Sequence, residues 1–174
     1  MDLKALYHIS YGVYVVSSPL EGRFNAQIAN ALMQVTAEPP QIGVCLNKRN
    51  CTHEHVARSG LFSFSILSQD TPLRFIGHFG FKCGRDVDKF ALEGLEYVIS
   101  PRGCPIVLNH CVAWGECEVV SSLDVGTHTL FVGRLVDAAV HLGGEPMTYA
   151  YYHKVKRGTE PETAPTYRGK GASV

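Results

Sequence analysis

The stretch NAQIANALMQVTAEPPQIGVCLNKRNCTHEHVARSGLFSFSILSQD, residues 25–70, decides how this chain folds. It contains β-like segments on either side of Pro39-Pro40, a polar turn over residues 47–52, a short helix, and a strand over Leu61–Leu67. Hydroxyl, amide and ammonium groups that gather where a strand gives way to a helix N-terminus suit an anion such as phosphate. This stretch therefore predicts a candidate phosphate site.

Composition and charge narrow the class of protein. With 174 residues, of which 45% are hydrophobic and 18% charged, the chain is expected to form one globular domain over residues 1–174. Its 16 basic and 16 acidic residues cancel, which gives no electrostatic footprint for nucleic acid or an anionic membrane. No apolar run approaches the roughly 20 residues of a membrane-spanning helix. The N-terminal MDLKALYHIS does not resemble a signal peptide, so we expect a cytoplasmic protein.

The six cysteines do not form a metal-binding pattern. They stand at positions 45, 51, 83, 104, 111 and 117, and none belongs to a C-x-x-C pair of the kind found in zinc ribbons or rubredoxin. We expect reduced thiols that are mostly small buried hydrophobic groups. A redox pair of Cys111 and Cys117 is the less favoured alternative.

The hydrophobic patterning favours strands over helices. Strands are predicted over residues 11–18, 23–33, 41–46, 61–67, 96–100, 112–122 and 128–140. Helices or helical turns are predicted over residues 2–8, 50–58, 70–79 and 90–94. Because helices and strands do not alternate as in βαβ units, the pattern predicts an antiparallel barrel with a few short helices rather than a doubly wound sheet.

The sequence gives little support for a catalytic nucleophile or for a metal site. There is no G-x-S-x-G motif. Cys51 and His55 are four residues apart and could meet on one helix face, with His53 nearby, but a solvated helix face is the favoured interpretation. With only three candidate ligands and no fourth close by, no metal site is expected.

Two polar segments could hold a phosphate. The turn offers Asn47, Lys48, Asn50 and Thr52 where helix amides lack internal partners and the helix dipole is positive. Taken alone, these residues are better explained by helix capping and solvated charge than by a phosphate site. The second segment, residues 83–90, is also weak by itself, since its Asp-Lys pair could be a surface ion pair.

Taken together and in order, these segments resemble the flavin reductase family, which has the FMN-binding split-barrel fold. The resemblance is to the flavoredoxin-like branch, which includes flavin reductases fused to rubredoxin, and it covers nearly the whole chain. It is carried by the following segments: Asn25-Ala26-Gln27 with Ala29-Asn30-Ala31, Ala37-Glu38-Pro39-Pro40, the turn to Thr52, Gly60-Leu61-Phe62-Ser63 with Ser65-Ile66-Leu67, residues 84–90, residues 126–133, Tyr152-His153 and residues 164–167.

The resemblance implies a mainly β, antiparallel split barrel that dimerises and holds FMN near the subunit interface. It places these residues near the flavin ring and ribityl chain: Asn25, Gln27, Ala29, Asn30, Gln34 and Thr36. It places these near the phosphate: Asn47, Lys48, Asn50, Thr52 and His53, with added charge from Arg85 and Lys89. His128 is implied to face the flavin or nicotinamide, with a strand-end structural histidine as the open alternative.

Two departures from the family pattern affect the contacts rather than the fold. Cys83 stands where relatives often carry serine, and Ser65 stands where they often carry asparagine. The tail aromatics Tyr149 and Tyr152, with His153, are expected to pack in the dimer interface.

The resemblance implies an NAD(P)H-dependent FMN oxidoreductase that passes electrons to free flavin, ferric iron, rubredoxin or oxygen. An FMN-binding electron carrier or sensor without hydride transfer is the alternative. No G-x-G-x-x-G motif is present, so nicotinamide is expected to bind transiently against the flavin. Because the chain lacks paired C-x-x-C knuckles, any rubredoxin partner is expected to be a separate protein.

Overall fold

Seven of the nine strands form one antiparallel sheet in the computed structural model, which describes residues 1–167. The strands are β1 Tyr14–Leu20, β2 Arg23–Ala29, β3 Leu32–Ala37, β4 Pro40–Asn47, β5 Leu61–Leu67, β6 Tyr97–Ile99, β7 Pro105–Val107, β8 Cys111–Asp124 and β9 His128–Val140. The order in the large sheet is β2-β1-β5-β8-β9-β4-β3, and β6 pairs with β7. This arrangement confirms the predicted mainly β, antiparallel split barrel.

The sheet curls because its two edge strands follow one another in the chain. Only Asn30 and Ala31 separate the end of β2 from the start of β3, so the two edges must come close there. The carbonyl of Ala31 accepts a hydrogen bond from the amide of Cys45 on β4 at 2.9 Å. The predicted continuous strand over residues 23–33 is therefore wrong, since the chain changes edges at Asn30.

The prolines stand where a ladder tolerates them. Pro40 is the first residue of β4 and pairs with Ala37 of β3, whereas pairing with β9 starts one residue later at Gln41. A proline at a strand start removes no ladder hydrogen bond from the interior of the sheet. The strand predicted over residues 41–46 is thus confirmed and is extended by one residue at each end.

The long hairpin of β8 and β9 sets the position of the site. Strand β9 also pairs with β4, and in that register Asn47 lies opposite His128. The end of β4 and the start of β9 therefore meet at the polar turn. Strand β7 is not among the predicted strands. The hydroxyls of Ser63 and Ser65 on β5 donate to the carbonyls of Pro105 and Val107, and these hydrogen bonds hold β7 against the sheet.

Three α-helices and two 3₁₀ helices complete the described chain. They are α1 Cys51–Ser59, α2 Leu73–Phe81 and α3 Tyr149–Lys154, with 3₁₀ helices over Leu3–His8 and Lys89–Ala91. The helix predicted from residue 70 starts later, because Pro72 occupies its N-cap, and α3 was not predicted. The helical turn predicted over residues 2–8 is present as the 3₁₀ helix Leu3–His8, which buries none of its residues. None of the helices in residues 1–167 is long and apolar enough to cross a membrane.

Two hydrophobic clusters form the core. The barrel interior contains Val16, Leu46 and Phe62, and Val56 of α1 joins it, so α1 covers one end of the barrel. The second cluster lies where α2 and α3 pack on the sheet, with Phe79 and Tyr152 as their contributions. The site lies between these two clusters, where α1 and α2 approach the ends of β2 and β4.

The cysteines are free thiols in the described residues. Cys104, Cys111 and Cys117 are fully buried, and burial raises their pKa values to about 12, 11 and 12, as expected for small core residues. A redox pair of Cys111 and Cys117 is ruled out, because six residues of one strand separate their Cα atoms by roughly 20 Å. A disulfide requires Cα atoms about 4.4–6.8 Å apart.

Candidate functional site

A cavity of about 340 Å³ lies where β2 and β4 end and α1 begins. This volume falls within the range of small-molecule sites, roughly 300–1,000 Å³. Among the residues predicted from the sequence, these line the cavity: Asn25, Gln27, Ala29, Asn30, Asn47, Asn50, Thr52 and Lys89. The structure therefore brings together most of the polar turn with the face of β2 that carries Asn25, Gln27 and Ala29.

A buried hydrogen bond joins β2 to the start of α1. The amide nitrogen of Asn25, which is 2% exposed, donates to the Thr52 hydroxyl at 2.8 Å. The other atom of this side chain, Oδ1, is buried and has no partner in the described chain. A buried acceptor left unpaired is costly, so Oδ1 is a natural contact for a hydrogen-bond donor on a ligand.

Gly84 completes this corner of the cavity. A Cβ placed on Gly84 would lie 2.0 Å from Oδ1 of Asn25, so any side chain there would displace the loop or the asparagine. The absence of a side chain thus allows the loop after α2 to approach β2 closely. Steric crowding therefore explains why the segment over residues 84–90 begins with glycine.

The N-terminus of α1 presents backbone donors to the cavity. The first amides of a helix have no partner within it, and Cys51 and Thr52 carry two of them on the cavity wall. The N-cap Asn50 makes no side-chain capping bond and instead donates to Gln27 Oε1 at 3.1 Å. Capping therefore does not account for Asn50, and the arrangement can bind an anion.

The three predicted cations occupy different environments. The Lys48 ammonium pairs with Asp124 at 2.6 Å and lines a shallow groove beside the cavity rather than the cavity itself. The Arg85 guanidinium donates to Glu54 and to the carbonyl of Arg49, both at 3.1 Å. Lys89 is the predicted cation that reaches the cavity wall.

Lys89 is buried rather than part of a surface ion pair. Its side chain is 4% exposed, and its ammonium donates to the carbonyls of Ala26 and Phe79 at 2.8 and 2.9 Å. Burial lowers its pKa from 10.5 to about 8. Its carbonyl also contacts the ring of His78 at 2.9 Å, so Lys89 ties the 3₁₀ helix to α2 and β2.

Besides Lys48 and Arg85, the predicted residues Gln34, Thr36 and His53 also lie outside the cavity. Gln34 and Thr36 are exposed on β3, where they bond to backbone carbonyls of their own turn. His53 contacts the Thr129 hydroxyl at 2.8 Å, and burial lowers its pKa, with added effects from the Lys48 and His128 charges. The prediction that Cys51, His53 and His55 lie on a solvated face of α1 is also wrong, because His55 is buried against the Ser18 carbonyl.

His128 is nearly buried at the start of β9 and lies in the groove beside the cavity. Its Nε2 is 3.2 Å from the carbonyl of Thr163, and its Nδ1 is 2.8 Å from the hydroxyl of Thr127. Because a carbonyl only accepts, Nε2 carries a proton and donates it to the Thr163 carbonyl. His128 therefore holds the C-terminal segment in place.

The C-terminal segment forms a cavity wall that sequence reasoning did not identify. Residues 159–165 contribute to the lining, and Asn30 donates to the Thr166 hydroxyl at 2.8 Å. Thr166 in turn donates to Glu160 at 3.0 Å, and Glu160 also accepts from Tyr149, whose pKa is raised by burial. The only available signal was the 164–167 motif, to which the pattern assigned no role. Cys45, Cys51 and Cys83 also line the cavity without having been predicted.

Within residues 1–167, no group of three or more His, Cys, Asp or Glu side chains is placed to hold a metal ion. The donor set of the cavity is instead dominated by amides, hydroxyls and backbone N–H groups, with Lys89 as its buried cation. An anionic group at the α1 N-terminus, joined to a larger polar and apolar body, matches this set.

Comparison with known proteins gives consistent matches. The profile described as "Flavin reductase like domain" matches residues 6–160. The chain is 50% identical over 167 residues to "Ferric-chelate reductase (NAD(P)H)" of Archaeoglobus fulgidus, covering 96% of this chain and 98% of that protein. It is 49% identical to "High molecular weight rubredoxin" of Moorella thermoacetica, covering 96% and 72%. The crystal structure of an FMN-binding protein from Thermus thermophilus with bound 1-cyclohex-2-enone matches with TM-score 0.73 and 28% identity, covering 84% and 83%.

The buried charge of Lys89 predicts a pH dependence of stability. Because its folded pKa, about 8, lies below the unfolded value of 10.5, the native state loses this proton first, and stability rises as the pH increases from 8 to 10.5. At about 1.36 kcal/mol per pKa unit, the gain is about 3 kcal/mol relative to Lys89→Met. Denaturant titrations of both proteins from pH 7 to 10.5 measure it.

The relevant quantity is the difference in the free energy of unfolding between the parent and Lys89→Met at each pH. In this difference the contributions of cysteines and tyrosines that titrate in the same pH range cancel. The same substitution at exposed Lys4 should leave the pH profile parallel to that of the parent protein. Parallel profiles for Lys89→Met and the parent would show that the buried amine carries no such penalty.

Proposed function

Because the chain belongs to the flavin reductase-like domain family, we propose that its cavity holds FMN and that NAD(P)H reduces this flavin. Membership of this family makes the chain a flavoprotein oxidoreductase. The proposal rests on the buried, unpaired Asn25 Oδ1, which lies beside the first backbone amides of α1. This corner suits a ligand that carries both a phosphate and hydroxyl groups that can donate hydrogen bonds.

The residues that would hold the cofactor fall into two groups. At the α1 N-terminus, Asn47, Asn50 and Thr52 supply the donors for the phosphate, and Lys48, His53 and Arg85 stand around the same turn as longer-range positive or polar groups. Along β2, Gln27, Ala29 and Asn30 would contact the ribityl chain and ring. Lys89 adds a buried positive charge to the wall between the two groups.

Bound FMN would accept hydride at N5 and pass electrons onward, which is the cofactor's own chemistry. The protein's share is to bind, orient and shield. Asn30 and His128 fasten the C-terminal segment over the site, so that it forms a wall against which a nicotinamide can be positioned. No protein nucleophile and no essential general base are needed for such a transfer.

The electron acceptor is proposed from the same reasoning. Free flavin, ferric iron, rubredoxin and oxygen all react with reduced flavins, and the names of two relatives contain ferric-chelate reductase and rubredoxin. We further propose that residues 1–174 form a single domain that works in the cytoplasm and binds neither nucleic acid nor membrane.

We also propose a two-fold dimer. Met33 and Val35 on the edge strand β3 are 58% and 45% exposed, which leaves apolar side chains uncovered on a strand that is paired on one side only. Gln34 and Thr36 share this strand and lie outside the cavity of their own subunit. Their predicted contact with flavin is therefore compatible with the structure if β3 approaches the cavity of the partner subunit.

The central test of the function is anaerobic reduction. Purified protein loaded with FMN should lose its visible flavin absorption when NADH or NADPH is added without oxygen, because hydride transfer bleaches the ring. The same experiment on free FMN without protein is the control. Bleaching no faster than this control, with either nucleotide, would favour the electron carrier or sensor.

The phosphate contacts are tested by removing donors from the turn. The double variant Thr52→Ala with Lys48→Ala should weaken FMN binding about tenfold or more, since the charge-assisted hydrogen bond of Thr52 contributes about 1.5–3 kcal/mol and Lys48 adds a longer-range positive charge. Fluorescence titration of FMN measures the Kd. Arg58→Ala, at the opposite end of α1, is the matched control and should bind as the parent does. Unchanged flavin content of the double variant after dialysis would refute the assignment.

His128 is tested by a paired measurement. His128→Ala should retain FMN but slow reduction by NAD(P)H, because a displacement of about 1 Å in the reacting groups can cost roughly a hundredfold in rate. His128→Gln, whose amide can still donate to the Thr163 carbonyl, should recover part of the rate. A normal rate in stopped-flow reduction with a lowered melting point would make His128 a purely structural residue.

The dimer is tested by mass in solution. Light scattering at micromolar concentration should give about twice the 19.1 kDa of one chain. Replacing Met33 and Val35 together with glutamate should give the single-chain mass, because like charges would face each other across a two-fold interface. A parent protein of about 19 kDa would contradict the proposal.

A further inference from the structure

Two cysteines from separate segments line the same cavity and have no role in the chemistry described above. Cys51 is the first residue of α1 and is half-buried, whereas Cys83 is exposed in the loop that follows α2. The other cavity cysteine, Cys45, lies on β4. This pairing of an exposed thiol with a sheltered one sets Cys51 and Cys83 apart from the three core cysteines.

The loop that carries Cys83 is fastened to the segment that carries Cys51 by two independent contacts. The Arg85 guanidinium donates to the carbonyl of Arg49 and to Glu54, which lie on either side of Cys51 in the chain. The backbone at Gly84 packs against the Asn25 side chain, which donates to Thr52. Arg85, two residues after Cys83, thus contacts residues two and three positions from Cys51, and both thiols line the same cavity.

The electrostatic surroundings also differ from those of the core thiols. Burial raises the pKa of Cys51, and the charges of Cys83 and Glu54 add to this rise, while the positive charges of Arg85 and Lys89 act in the opposite direction. Cys104 and Cys117 have no such cations, and their pKa values are raised to about 12. The Arg85 amide also donates to the Cys83 sulfur at 3.5 Å. Positive neighbours and access to solvent are the conditions under which thiols react with oxidants.

We propose that Cys51 and Cys83 form a redox-active dithiol that closes to an intramolecular disulfide when the protein meets a peroxide. The exposed Cys83 sulfur attacks one peroxide oxygen, the O–O bond breaks, and Cys83 becomes a sulfenic acid as water leaves. The Cys51 sulfur then attacks the sulfenic sulfur, the S–S bond forms, and a second water leaves. Two thiols are oxidised, one hydrogen peroxide is reduced to two waters, and atoms and electrons balance.

The bond would tie the loop over residues 82–89 to the N-terminus of α1. In the reduced protein this link consists of the Arg85 contacts and the close approach at Gly84. A covalent link at the rim would hold this side of the cavity in a single position. The inference does not depend on what the cavity binds, because the thiols can be counted in the protein before any flavin or nucleotide is added.

The test is a thiol count on the full chain after treatment with a small molar excess of hydrogen peroxide. The reduced protein titrates six thiols after denaturation, and the treated protein should titrate four. Its intact mass should fall by two hydrogen atoms, and digestion should yield one linked peptide pair containing Cys51 and Cys83. Reduction should restore all six thiols.

Matched variants identify the two sulfurs. Cys51→Ser should leave the Cys83 sulfenic acid unresolved, so that dimedone labels Cys83 in the variant but not in the parent. Cys45→Ser keeps both proposed partners and should form the linked pair as the parent does. Six thiols after treatment of the parent, a linked pair that includes Cys45, or a disulfide between two chains through Cys83 would each overturn the proposal.

Discussion

The hydrogen bond from Asn25 to Thr52 is the interaction on which the rest of the site depends. It is buried, spans 2.8 Å, and joins an edge strand of the barrel to the first turn of α1. Because it uses the amide nitrogen of Asn25, it leaves the carbonyl oxygen buried and unpaired against Gly84, at a position that a side chain on Gly84 would occupy. One side chain thus joins β2 to the start of α1 and also carries the unpaired acceptor on which the proposed binding site rests.

The barrel supplies the frame for this corner. The register between β4 and β9 sets Asn47 opposite His128. The polar turn and the start of β9 are therefore neighbours in space although they are far apart in the sequence. Hydrogen bonds from Asn30 and His128 then bring the C-terminal segment back over the opening. The cavity is therefore built from the beginning, middle and end of the chain, and its geometry is a property of the whole fold.

Sequence reasoning succeeded where local pattern determines structure. The strand over residues 128–140 and the helix before Gly60 follow from β-branched alternation and a left-handed C-cap, and the polar turn was located by its composition. It failed where a distant partner decides the environment. Asp124 pairs with Lys48, two backbone carbonyls bury Lys89, and the tail covers the cavity. No local spacing rule contains these contacts, since each joins segments that only the tertiary fold brings together.

The central claim is that the FMN phosphate lies at the α1 N-terminus and the flavin ring lies along β2. A crystal structure of the protein in complex with FMN tests this claim most directly. The account predicts the phosphate within hydrogen-bond distance of the Thr52 and Asn50 region at the α1 N-terminus, with the ribityl chain or ring along Ala29 and Asn30. It also predicts a donor on the cofactor within hydrogen-bond distance of Asn25 Oδ1. A flavin bound elsewhere, with its phosphate away from α1 and Asn25 Oδ1 still unpaired, would contradict it.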